Sequence, residues 1–322
     1  MRNILYIICA LLVLTSCEEV ITVELDEGTE QLVVDAWLSN DSIDQVIKLS
    51  MSNQYFAGSI FETVSGADVY VVKTSLFTQQ VDTFDFIEGT TPGSYELDYA
   101  TNSDFVELFG SYDLHVVYQG EQFIANSMPT TPPIFDSLSV IYDDGSQDLL
   151  TQAGFYVELH ALDPAFDEVM NPLPNIYWLR TSKNDTLIGS QVGDTVLGSV
   201  TDLNLTVDGA FAFPSDFDGE EFIPPIRFGI NAVNWNHGDT CTVEFWSVTF
   251  GAFDFLANAR EQITNGSSFG LFATPVANLK SNIENQDTAS AITAIGYFNV
   301  ATSTKRSIVI DSNTAVDINA GL

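Results

Sequence analysis

The chain has 322 residues, of which 45% are hydrophobic and 12% aromatic, a composition that excludes a disordered tail and marks a folded protein. Its 44 acidic residues stand against 10 basic ones, and a net charge of −34 argues against any nucleic-acid partner, because such a surface repels phosphate backbones. Three cysteines, Cys9, Cys17 and Cys241, are too few for a disulfide framework or a Cys-rich zinc site.

The chain opens with Arg2, the apolar run Ile4 to Leu14, and then Leu14-Thr15-Ser16-Cys17. A basic start, a short apolar stretch and small residues before a cut are the parts of a secretion signal, and the run is too short to span a bilayer. Leu-Thr-Ser-Cys resembles the lipobox of bacterial lipoproteins, in which the thiol takes a diacylglyceryl group before cleavage between Ser16 and Cys17. The alternative is an ordinary signal peptide with a chance cysteine. Acyl chains on Cys17 contribute about 0.8 kcal/mol per buried methylene, so two or three of them anchor a folded chain to a membrane. No later stretch offers the 18 consecutive apolar residues of a spanning helix. Removing residues 1–16 leaves 306, enough for two domains. Cys241 then remains alone in the alternating run Thr240 to Phe245, where a packed strand thiol is expected in preference to a nucleophile.

From Ile21 onward, short runs rich in Val, Ile, Thr, Tyr and Phe follow one another. They are Ile21–Leu25, Gln31–Leu38, Gln45–Met51, Ala67–Lys73, Ser94–Tyr99, Tyr112–Tyr118 and Gln122–Ala125, separated by Gly, Asn, Asp or Pro. That pattern predicts an antiparallel β-sandwich. Ser127 to Pro133 carries three prolines and cannot continue a ladder, which sets a boundary between a first domain, residues 17–129, and a second, residues 130–322. Strands are predicted again at Phe135–Tyr142, Phe155–Leu162, Ile176–Thr181, Ile226–Ala232 and Thr240–Val248. Asp163 to Pro174 reads as a loop, and Gly189 to Pro225 as irregular β and loop. Phe253, Leu256, Ala259 and Ile263 recur at helical spacing, and Asn265-Gly266 ends the pattern, so one amphipathic helix is predicted over 250–265. A closing hairpin is expected from Ile292–Val300 and Ser307–Ile310, turning at Thr302-Ser303-Thr304. The fold class is therefore mostly β, in two domains, with one helix in the second.

The series Gly66-Ala67-Asp68-Val69, Gly93-Ser94-Tyr95, Tyr112-Asp113-Leu114-His115-Val116 and Gly120 to Ala125 resembles the transthyretin-like, Ig-type sandwich of carboxypeptidase-regulatory-like domains. Further on come Phe253-Asp254-Phe255-Leu256, Asn265-Gly266, Phe272-Ala273-Thr274-Pro275, Leu279 to Asn285 and Ile295-Gly296-Tyr297-Phe298. With the lipobox, they look like a family of uncharacterised outer-membrane lipoproteins of Bacteroidota encoded beside TonB-dependent receptors. Ser281 departs from the family pattern, which has Gly there. The resemblance implies an outer-membrane location, a TonB-dependent receptor as partner and no known ligand. The acidic Glu18 and Glu19 after Cys17 are like those of surface-facing lipoproteins, though the side of the membrane stays open.

The residues offer little chemistry. His115, His160 and His237 are far apart, without metal-ligand spacing, and no nucleophile elbow, zinc-protease motif or phosphate loop is present. Asp216, Asp218, Glu220 and Glu221 cluster around Gly219 and can supply oxygen ligands to calcium, but the run lacks the twelve-residue calcium loop with its distal bidentate Glu, and an acidic surface turn is the preferred account. Tyr55-Phe56, Trp235 and Phe211-Ala212-Phe213-Pro214 are candidates for an exposed aromatic platform, with core packing as the alternative. The reading that follows is a non-catalytic binding or docking accessory of a transporter, with a structural or adhesive surface lipoprotein as the alternative.

Overall fold

The computed structural model describes residues 30–52, 61–132, 134–146, 150, 152–165, 176–188, 219–223, 225–227, 229–231, 233–266, 279–290 and 292–320, with helix side chains described as far as 259. The predicted strand Ile21–Leu25 and Cys17 lie outside these residues. The first half holds β1 (Gln31–Ser39), β2 (Gln45–Met51), β3 (Asp68–Ser75), β4 (Val81–Glu88), β5 (Ser94–Leu97), β6 (Gly110–Tyr118) and β7 (Glu121–Ser127). The second holds β8 (Ile134–Asp143), β9 (Gly154–Leu162), β10 (Ile176–Lys183), β11 (Thr186–Leu187), β12 (Thr240–Val248), α1 (Phe250–Gly266), β13 (Glu284–Asn285), β14 (Thr293–Val309) and β15 (Val316–Asp317).

Most of the predicted strands stand where the alternation placed them, and the fold is mostly β, with one helix among the described residues. β4 is not among the predicted runs. Its Phe84 and Phe86 point inward while Asp82, Asp85 and Glu88 interrupt the apolar signal. The run at Ile226–Ala232 is not a strand: Ile226 alone bridges to Leu159. Asn231 explains the difference, because its carboxamide accepts from the Val157 N–H and donates to the Val157 carbonyl, taking the place of a backbone ladder.

The larger correction concerns the C-terminus. Instead of a hairpin, residues 293–309 form one strand of 17 residues. Thr302-Ser303-Thr304 contains no residue suited to φ > 0, so nothing there reverses the chain. What changes at this point is the partner: β14 pairs in parallel with β1 up to Ala301, then antiparallel with β12 from Thr302. Among the described residues, twelve strands thereby join into one mixed sheet, in the order β11-β10-β12-β14-β1-β2-β5-β4-β3-β6-β7-β13, with β15-β8-β9 as a second, small sheet.

Two apolar cores lie against this sheet. One gathers Leu32, Val34, Val71, Tyr95, Tyr112, Phe123 and their neighbours, and it includes Phe298 and Val300 of β14. Tyr112 also secures a loop in it, donating to the Phe105 carbonyl and accepting from the Glu107 N–H. The other gathers Val157, Tyr177, Phe245, Trp246 and the buried side of α1, and it includes Tyr297 and Ala301 of β14. Alternate side chains of one strand thus serve both cores. α1 begins where Thr249 caps it, its Oγ1 accepting from the Ala252 N–H, and it buries Ala252, Phe253 and Leu256 as the helical spacing predicts.

Candidate functional site

The site begins with a period-two consequence. In β1, Leu32, Val34, Ala36 and Leu38 face the first core, so Val33, Asp35 and Trp37 must face the other way. Register then decides their neighbours. Asp35 pairs with Tyr297 of β14 on one side and Lys48 of β2 on the other, and Trp37 pairs with Asn299. On the same face, Trp178 of β10, Trp246 of β12 and Ser303 of β14 form the next row, followed by Arg180, Glu244 and Lys305.

α1 lies beside this face, and between it, the strands and the Thr91–Ser94 turn is an open groove of about 640 Å³. Its aromatic wall is a contiguous set: Trp37 stacks on Tyr297 with centroids 5.7 Å apart and Phe255 lies 5.1 Å from Tyr297, while Trp178, behind the wall, meets the edge of Trp37 at 5.3 Å. Asp35 and Lys48 supply the polar side. Gly296 and Gly93 belong to the lining because only glycine fits, each with positive φ and each with a neighbouring carbonyl oxygen where a Cβ would sit.

Asp35 carries the electrostatics. Water reaches its carboxylate along the open side of the groove, but protein surrounds it elsewhere, and the lost hydration raises its pKa above the ordinary carboxylate value. Lys48 and the Trp37 indole pull the other way without cancelling the effect. The folded state therefore holds the Asp35 proton more tightly than the unfolded chain does. Its contribution to stability is fully favourable below the unfolded pKa and is lost as pH rises through the folded one. Asp35→Asn is expected to raise the melting temperature near neutral pH, with the difference from wild type closing below about pH 3.9. Thermal melts across pH check this, and a variant less stable at neutral pH would refute it.

Behind the groove, Arg180 lies over the rings of Trp178 and Trp246, at 5.5 and 5.1 Å, and pairs with Glu244 at 3.2 Å. The indole N–H groups of both tryptophans and the whole carboxamide of fully buried Asn299 make no hydrogen bond among the described residues.

Residues 18–307, which include every groove residue named above, match the model of a family described as Domain of unknown function (DUF4249). The chain belongs to the DUF4249 family. A search of curated proteins finds no match.

The other candidates in this DUF4249 chain are placed as follows. Cys17, Asp216 and Asp218 lie outside the described residues, as do Tyr55, Phe56 and the 211–214 stretch. Glu220 and Glu221 are exposed, and their described contacts are backbone ones: the Glu220 carbonyl accepts from the Asp163 N–H, and Glu221 bridges to Leu162. Among the described residues, no three His, Cys, Asp or Glu side chains are grouped to hold a metal ion. Trp235 is not a platform. It is 4% exposed, and its indole donates to Asn231.

The histidines are in structural settings. His115 stacks on Tyr70 at 4.7 Å, His160 is bonded to Ser139, and His237 binds the Ser312 N–H. Cys241 is fully buried in β12, and burial pushes its thiol up to about 12, which removes it as a nucleophile at neutral pH. The aromatic residue that the sequence reading passed over is Trp37. Its signal was available, since alternation in Gln31–Leu38 puts it beside Asp35 on the face away from the Leu and Val residues.

Proposed function

We propose that this DUF4249 protein is a lipid-anchored, non-catalytic binding module of the Bacteroidota outer membrane that serves a TonB-dependent transporter and holds its ligand in the Trp37 groove. The observation that carries the reading is the groove itself: a contiguous aromatic wall beside a carboxylate and an ammonium group. Aromatic rings give contact area at low entropic cost, and the two charges orient what binds. The lipobox adds the anchor, and the family match begins at residue 18, directly after Cys17. Tethering such a groove beside a pore raises the local ligand concentration without any new contact.

Mild detergent extraction of native membranes followed by affinity purification of the lipoprotein tests the partnership. A large barrel protein is expected to come with it in constant ratio, and Cys17→Ser is expected to release the chain from the membrane fraction. Recovery of the lipoprotein alone under several detergents would instead favour a structural or adhesive role.

A further inference from the structure

We infer that the groove accepts a short peptide bearing lysine or arginine, laid across β1, β2, β5 and β4, with an apolar side chain against Trp37 and Tyr297 and its cationic side chains towards β5 and β4. The inference rests on the binding reading above and names the class of ligand.

Register shows where such a peptide would run. The groove face continues past Lys48: Val46 pairs with Glu96 of β5, and Glu96 pairs with Ile87 of β4, so Glu96, Ile87 and Asp85 share the face on which Asp35 and Trp37 stand. There the surface opens into a second groove of about 420 Å³, whose lining contains acidic residues and no basic one. Three of its carboxylates serve local backbone, Asp44 accepting from the Tyr99 N–H, Asp98 from the Ala100 N–H, and Glu88 from the Gly66 and Gly93 N–H groups. Asp85 and Glu96 have no hydrogen-bond or ion-pair partner among the described residues, and Ile87 between them is 68% exposed.

Charge selects the ligand. Between Cys17 and Arg180 the only basic residues are Lys48 and Lys73, and Lys73 is buried between Asp82 and Glu107. Lys48 is therefore the only cation this part of the chain contributes to the face. A ligand ammonium or guanidinium group meets free carboxylates at one end, while an apolar side chain meets the aromatic faces at the other. The net charge of −34 concentrates cations around the molecule before contact is made. From β1 to β4 is three strand spacings, about 14 Å, which is the span of about four extended residues.

Calorimetric titration of the acylated protein in detergent tests the assignment, with an end-blocked pentapeptide of tryptophan, lysine and alanine as probe. Its glutamate-for-lysine counterpart and a neutral maltohexaose serve as the comparison arms. The lysine peptide is expected to bind saturably, to weaken roughly tenfold or more between about 20 mM and about 300 mM salt, and to exceed the glutamate peptide by a similar factor. Asp85→Asn with Glu96→Gln, at exposed positions outside both cores, is expected to remove most of that salt dependence and leave the melting temperature unchanged. Trp37→Phe is expected to weaken binding while keeping the ring packed. Failure of the lysine peptide to bind, or binding indifferent to salt and to the double variant, would overturn the inference. Binding of maltohexaose in its place would overturn the peptide class and leave the groove as a binding site, while co-purification reads the transporter partnership independently.

Discussion

Gly296→Val is expected to destabilise the protein by about 2 to 5 kcal/mol, the sum of a side chain forced into positive φ and an overpacked contact. Gly296 sits at φ +102, opposite Val34 in the parallel ladder between β14 and β1. A Cβ built there lies 2.0 Å from the Val34 carbonyl oxygen and 2.8 Å from its carbon, both backbone atoms that cannot rotate away. β14 would have to leave β1, and with it the junction that makes one sheet of twelve strands. Denaturant unfolding followed by tryptophan fluorescence measures the loss, since Trp37, Trp178 and Trp246 all report from this face. Gly120→Ala is the control: it has a positive φ of 86 with nothing within 4 Å, so it bears the backbone cost alone, about 1–2 kcal/mol. Equal midpoints for the two variants would refute the close approach of β14 to β1.

Phe298→Ala is expected to cost about 3 to 5 kcal/mol, the range for truncating a fully buried phenylalanine. The ring is 0% exposed and lies in the first core, among side chains of β1 to β7 that precede it by some 170 residues or more. Hydrogen exchange locates the effect. Amides of β3 and β6 are expected to lose protection although both strands are remote from residue 298 in sequence. Phe250→Ala removes a ring that is 63% exposed and is expected to leave stability nearly unchanged. If Phe298→Ala were equally silent, the first core would not depend on β14.

Both predictions fall on the strand that sequence reasoning misread, and the reason is physical. Alternation shows which residues of β14 share a face, yet it is silent on what lies beyond each face. A hairpin and a strand that changes partners at Ala301 have the same period. The parallel pairing of β1 with β14 joins residues more than 250 apart, and local propensity carries no record of such a contact. α1, by contrast, was legible from Phe253, Leu256 and Asn265-Gly266 because helix periodicity and its stop signal are local.

The candidate site divides in the same way. Trp235 lies in a stretch that reads as a turn, yet folding buries it against Asn231, while Trp37 sits in a run that reads as an ordinary strand and becomes the wall of the groove. A single strand displays its own two faces. Which of them is covered depends on the partners that register brings.

What the sequence determined by itself was the β-rich class, most strand positions, the helix that follows β12, the acidic surface and the lipobox resemblance, all of which are set by composition and by contacts a few residues apart. The tertiary structure alone decided that one C-terminal strand serves both cores, and that Asp35, Lys48, Phe255 and Tyr297 meet in one groove. Those groups come from segments up to some 260 residues apart, and only the ladder hydrogen bonds of the mixed sheet, with α1 packed beside it, hold them within reach of one another.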